Sequence, residues 1–191
     1  MKKGFTLIEL MIAMGIFAAF IVIITGVFGR FVQVQRHSIA QGQVVVDLQS
    51  ALESFIKEAR TAYGSTYYPN GNGSMVAFRN QERECVAYRL GNTKLLERAV
   101  ATISPYDSCS PDVFNAETFT PITGTQTEIT PVDGKPIFDV FPAQVDGAGE
   151  KLLRQGVIVV HMTVSSKDAT ILPLSIENSV TSRQTSPYIA L

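Results

Sequence analysis

The sequence predicts an α+β protein, with a long N-terminal transmembrane and amphipathic helix packed on an antiparallel β-sheet head. Three observations carry that expectation. From Phe5 to Phe28 the only charged residue is Glu9. From Arg30 to about Ala62 apolar residues recur at spacings of three and four, the period of one helix face. Beyond residue 62 the chain changes to short alternating apolar runs separated by turn-rich stretches.

The apolar run comes first. As a helix, Phe5–Phe28 would extend ~36 Å, enough to cross a hydrocarbon core of ~30 Å. Lys2 and Lys3 precede it and Arg30 follows. The two lysines favour a cytoplasmic N-terminus, which places everything after Arg30 outside the cytoplasmic membrane. A cleaved secretory signal would have a shorter core ending at a small-x-small site. A plain anchor fits the length but leaves Glu9 unexplained, because ionisable groups in a membrane are costly without a partner.

In the following stretch Val45, Leu48, Leu52, Phe55, Ile56 and Ala59 form one apolar stripe, and Gln43, Asp47, Gln49, Glu53, Lys57 and Arg60 lie opposite it. That is the pattern of a helix packing on a soluble domain. Gly26, Gly29 and Gly42 weaken the helix, each by ~1 kcal/mol relative to alanine.

The head occupies residues 63–191. "YGSTYYPNGNGS" reads as a loop leaving the helix, and "SMVAFRN", "CVAYRL" and "LLERAV" read as strands, the last two joined by a "GNTK" hairpin. Residues 101–135 are rich in Pro, Thr, Ser and Asp and predict little regular structure. Strand signals return with "PIFDVF" and "GVIVVHMTV". In the second, Ile158, Val160, Met162 and Val164 share one face, and His161 is expected on a solvent face. Leu172, Leu174, Ile176 and Val180 align along "TILPLSIENSV", where Pro173 predicts an edge strand or a bulge.

Charge and cysteine usage narrow the function classes. Charged residues make up 17% of the chain, against about 25% in ordinary globular proteins. The net charge is −1 with no basic tail or stripe, which argues against nucleic-acid binding through bulk electrostatics. Cys85 and Cys109 form no CxxC pair and have no histidines nearby, so a zinc site is not expected. In an exported head a disulfide between them is the better reading, and two unpaired buried thiols are the alternative. Such a bond would tie the irregular 101–135 stretch back to the first hairpin. His37 and His161 lack the partners of an acid–base pair or nucleophile, and no catalytic residue is assigned. Asp133, Asp139 and Asp146 match no cation loop, and no cofactor is expected.

The string Gly4-Phe5-Thr6-Leu7-Ile8-Glu9, after a short lysine-bearing leader, resembles the processing motif of type IV pilins and pseudopilins. The resemblance implies a leader of residues 1–4, a membrane half-helix over 5–29, an amphipathic half-helix over 30–62 and a β-rich head over 63–191, together making a pilin fold. It implies that a prepilin peptidase cuts between Gly4 and Phe5 and methylates the new N-terminus at Phe5. It also implies that Glu9 answers the freed amine of a neighbouring subunit during assembly. Glu9 lies four residues after Phe5, on the same helix face, where such a pairing would select the axial register. The layout, with "SIENSVTSRQ" near its end, is similar to PilW-like minor pilins and to J-type minor pseudopilins of type II secretion. It departs from many major pilins, which carry a helix-breaking proline near the position of Gly26. The implied role is a non-enzymatic minor subunit, initiating or tip-proximal in a pilus or pseudopilus. Its partners would be other pilins, the peptidase and the inner-membrane assembly platform. Two rivals come from other classes: a single-pass anchored binding domain that does not polymerise, and a membrane-tethered hydrolase.

Overall fold

A computed structural model describes residues 6–63, 66–104, 107–145, 152–167 and 173–182. One α-helix, α1, runs from Leu7 to Arg60, uninterrupted by its glycines. Compactness divides the chain into Met1–Gly42 and Gln43–Leu191.

In the first unit the large apolar side chains from Leu7 to Ile39, apart from half-buried Val32, are between 48% and 77% exposed. An exposed apolar helix surface of this length satisfies its backbone internally and leaves its side chains for a non-aqueous or protein environment. Length and composition suffice to cross a membrane.

In the second unit the helix presents Val44, Leu48, Ala51, Leu52, Phe55 and Ala59 to a core shared with two β-sheets. The buried stripe is rotated slightly from the one expected: Val45 is 47% exposed and Ile56 is half-buried, while Val44 and Ala51 go inside.

The first sheet has five antiparallel strands in sequential order: β1 (Tyr67–Pro69), β2 (Met75–Arg79), β3 (Cys85–Leu90), β4 (Leu96–Ala101) and β5 (Thr120–Pro121). Its inner face sends Val76, Phe78, Val86, Tyr88 and Leu96 against the helix, where Phe55 meets the rings of Phe78, Tyr88 and Phe138. Its outer face is buried too. Ala77, Cys85, Ala87, Ala99 and Ala101 pack under Cys109 and Phe114 of the connection between β4 and β5. Burial on both faces explains why these strands lack a clean apolar–polar alternation.

The second sheet centres on β10 (Val157–Ser166), flanked on one side by β11 (Leu174–Thr181). Along its other side β10 pairs with two short strands in turn, β7 (Phe138–Phe141) and then β6 (Thr127–Pro131). A separate ribbon joins β8 (Gln144–Val145) and β9 (Leu152–Arg154). Ile158, Val160, Met162 and Val164 face the core as their alternation predicts, and among the described residues β11 is the edge strand that Pro173 signals. Leu174 on that edge is 50% exposed, and Leu172 lies outside the described residues.

Two expectations need correction. The stretch 101–135 is not structureless: it contains a short 3-10 turn at Pro111–Phe114 as well as β5 and β6. "TEITP" is too short and too polar to read as a strand until β10 supplies its hydrogen bonds. His161 does not face solvent; only 6% of it is exposed. It sits where β10 changes partner, between Val160 opposite Phe138 and Met162 opposite Pro131, and its N–H donates to the Ile137 carbonyl at 2.9 Å. Glu177 Oε2 lies 3.4 Å from its Nδ1 and also accepts from Lys135 Nζ at 3.3 Å.

One glycine is dictated by crowding as well as by torsion. Gly73, in the β1–β2 turn, has φ +66°, and a Cβ there would come within 2.4 Å of Pro136 Cβ. Its carbonyl accepts the Phe138 N–H at 2.9 Å, joining the turn to the start of β7.

Candidate assembly site

The helix start is built by two polar residues. Thr6 is the residue before α1, and its N–H and hydroxyl both donate to Glu9 Oε2 at 2.9 Å. Glu9 in return donates its N–H to Thr6 Oγ1 at 3.4 Å, and the Leu10 N–H closes the turn on the Thr6 carbonyl at 3.3 Å. This is a reciprocal capping box, in which a Thr-x-x-Glu string satisfies amide donors that the first turn leaves without partners. A carboxylate in the first turn also faces the positive end of the helix dipole. The signal for it, Thr6 three residues before Glu9, is present in the sequence but hidden by reading Glu9 only as an intruder in an apolar run. Gly4 and Phe5 lie outside the described residues.

Behind that start, Ala13, Ile16, Phe17, Phe20, Ile21 and Ile24 line an open apolar surface. These side chains offer no polar group to a ligand and are chemically suited to lipid or to other apolar helices.

In the head, the second half of the helix is held by Glu58. Its Oε1 accepts from an Arg98 terminal nitrogen at 2.6 Å, and its Oε2 accepts from Arg98 Nε at 3.0 Å and from the Tyr88 hydroxyl. Tyr88 and Arg98 are directly opposite on β3 and β4, so one carboxylate spans a cross-strand pair. Burial, and then the bond to Glu58, pushes the Tyr88 phenol well above its ordinary range. The Glu58 bonds likewise raise the Arg98 guanidinium. Sequence reasoning missed this set, because Glu58 reads as one more exposed helix charge.

The last turn is capped by side chains from elsewhere in the head. The Tyr67 hydroxyl donates to the Ala59 carbonyl at 2.8 Å, and the Ser182 hydroxyl to the Ala62 carbonyl at 3.2 Å. Burial pushes the Tyr67 phenol up to about 12, against a smaller lowering by Ser182.

Cys85 and Cys109 are bonded, with Cα atoms 5.4 Å apart. Arg79, opposite Cys85 across the β2–β3 pair, reinforces the clasp: its guanidinium donates to the carbonyls of Arg83 at 2.7 Å, Ser104 at 3.1 Å and Asp107 at 2.7 Å. Together they hold the chain after β4 against the outer face of the first sheet.

No group of three or more His, Cys, Asp or Glu residues is placed to hold a metal among the described residues. Asp133 is exposed, Asp139 is half-buried on β7, and Asp146 lies outside the described residues. His37 is half-buried on α1.

The family described as the prokaryotic N-terminal methylation motif matches residues 1–25. No curated protein and no solved structure matches the chain. The match covers the capping box and the first part of the apolar helix. Over that stretch the chain is similar to type IV pilin-like precursors, which are structural subunits, and the motif and the apolar helix together point to membrane anchoring. The long helix followed by antiparallel sheets is consistent with the pilin fold.

Proposed function

We propose that the chain is a minor pilin or pseudopilin, a non-enzymatic subunit that joins a type IV pilus or a type II secretion pseudopilus through its N-terminal helix. The observation that carries this reading is the methylation motif over residues 1–25, at the head of a helix whose apolar side chains are exposed through Ile39. In this reading a prepilin peptidase cuts between Gly4 and Phe5 on the cytoplasmic side and methylates Phe5. Residues 5–29 anchor the subunit in the inner membrane, residues 30–62 carry the head, and residues 63–191 form it on the extracytoplasmic side. Assembly then packs the apolar half-helices of neighbouring pilins against one another at the inner-membrane platform. Glu9 meets the neighbour's Phe5 amine, so a misplaced subunit buries unpaired charge. The layout favours an initiating or tip-proximal position.

Mass spectrometry of the protein from cells with the peptidase tests processing. The expected chain begins at Phe5 with one added methyl group, and retention of residues 1–4 overturns the reading.

The capping box favours a second reading, a single-pass anchored binding domain in which Glu9 serves only the helix start. Glu9→Gln separates the two, because glutamine keeps the cap but not the charge. Loss of incorporation into filaments with processing intact supports docking by the carboxylate; normal incorporation assigns Glu9 to capping alone.

A further inference from the structure

The turn between β1 and β2 reads Asn70-Gly71-Asn72-Gly73, two asparagines that each precede a glycine. Both dipeptides set a side-chain amide carbon, an electrophile, beside a backbone nitrogen that glycine leaves sterically open. The fold treats the two asparagines differently. Asn70 is half-buried, and both atoms of its amide are bonded across the turn. Its Oδ1 accepts the Met75 N–H at 2.9 Å and its Nδ2 donates to Ser74 Oγ at 3.0 Å. Asn72 is exposed, and its Oδ1 accepts both the Ser74 N–H at 3.0 Å and the Ser74 hydroxyl at 2.8 Å. Those two bonds fold its amide over the intervening Gly73 peptide. Its Nδ2 has no hydrogen-bond partner among the described residues.

We propose that Asn72 is a site of spontaneous deamidation and that the fold protects Asn70 from the same reaction. The Gly73 nitrogen gives its proton to hydroxide and attacks Asn72 Cγ, and the carbonyl electron pair moves onto Oδ1. The two Ser74 donors already bonded to that oxygen are placed to stabilise the negative charge as it forms. The pair then restores the carbonyl, the Cγ–Nδ2 bond breaks, and Nδ2 takes a proton from water and leaves as ammonia. This closes a succinimide ring across residues 72 and 73. Water adding at Cγ opens it to aspartate; water adding at the residue 72 backbone carbonyl opens it to isoaspartate. The sum is one water consumed and one ammonia released, with no change of oxidation state. The Gly73 N–H donates to the Asn70 carbonyl at 3.1 Å, so that one bond has to open first. Ring closure at Asn70 instead forfeits the tie from its Nδ2 and disturbs the one to its Oδ1. Either product places a negative charge at position 72. Isoaspartate also adds a carbon to the backbone beside Gly73, whose carbonyl accepts the Phe138 N–H at 2.9 Å. Deamidation therefore acts on a bond that joins the two sheets of the head.

The test is incubation of the full chain in detergent at mildly alkaline pH, followed by peptide mass spectrometry and an isoaspartate assay that resolve the two positions. Asn72 is expected to lose its amide about tenfold faster than Asn70, the rate ratio that one additional hydrogen bond supports. In denaturant the two are expected to react alike, because the preference comes from the fold. Ser74→Ala, with its circular dichroism unchanged, is expected to narrow the native ratio, since the hydroxyl donates to Asn72 and accepts from Asn70. Equal rates in the folded chain, faster loss at Asn70, or reaction at neither position overturns the proposal. A preference that survives in denaturant, or is untouched by Ser74→Ala, overturns it as well.

Discussion

The two halves of α1 are one continuous helix with opposite surroundings. Phe17 and Phe20 in the first half are 67% and 63% exposed, whereas Phe55 in the second is 1% exposed among three other rings. Both halves form because helical hydrogen bonding is local and every donor finds its acceptor four residues back. What differs is what the side chains meet. The first half carries apolar residues on every side, and no single sheet face could cover it. The second confines them to a stripe, which two sheets bury.

The sharpest way to break that contrast is to truncate one ring in each half. Phe55→Ala is expected to destabilise the head by ~3–5 kcal/mol, through lost burial and the cavity left behind. Phe20→Ala is expected to change head stability by less than about 0.5 kcal/mol. Denaturant titration of both variants in detergent, followed by near-ultraviolet circular dichroism, checks the pair. Comparable losses would mean that the halves are energetically coupled.

A control away from the helix comes next. Replacing both Cys85 and Cys109 by serine opens a loop with a sequence separation of 24 and is expected to cost ~3 kcal/mol. The same titration reads it, and Arg79, still bonded to the 104 and 107 carbonyls, is expected to keep the loop partly ordered.

Smaller still is Glu58→Ala, at ~1–3 kcal/mol, because Arg98 and Tyr88 lose a shared acceptor at a partly covered site. Arg98→Met in the Glu58→Ala background should recover part of that loss, since two apolar replacements leave no orphaned charge. Failure of any recovery would argue that the helix contact there is packing rather than pairing.

The smallest effect is absent at neutral pH and appears in base. Tyr67 titrates at about 12 in the fold against an ordinary 10.0. Its protonated form is therefore favoured by folding, and that stabilisation is fully present below pH 10 and is lost as pH rises from 10 to 12. Phenolate absorbance alongside unfolding should show the loss, and Tyr67→Phe, which cannot ionise, should remove this contribution from the alkaline slope.

Much of the architecture was legible in the residues. The apolar run, the 3.6-residue stripe and the alternation of Ile158, Val160, Met162 and Val164 are direct imprints of local geometry on a chain with one buried side. The covered outer face of the first sheet was not legible, because Ala77, Ala87 and Ala99 are as compatible with solvent as with a packed loop. β6 was missed because its five residues gain strand character only from β10. His161 was misplaced because alternation assigns a face and not what later covers it; Glu177 and Lys135 arrive from 16 residues later and 26 residues earlier in sequence. At the start of α1, Glu9 stood out as a charge, but its bond to Thr6 required thinking of it as the end of a helix.

By itself the sequence determined the helix, its apolar and amphipathic halves, the motif at its start and most of the strands, since each depends on residues within a turn or two of one another. Only the tertiary structure decided which helical residues are buried, that Glu58 binds across β3 and β4, and that β10 divides its edge between β6 and β7. Those outcomes depend on groups far apart in the chain. Their energies exist only once folding has brought them within a few ångströms and excluded the water between them.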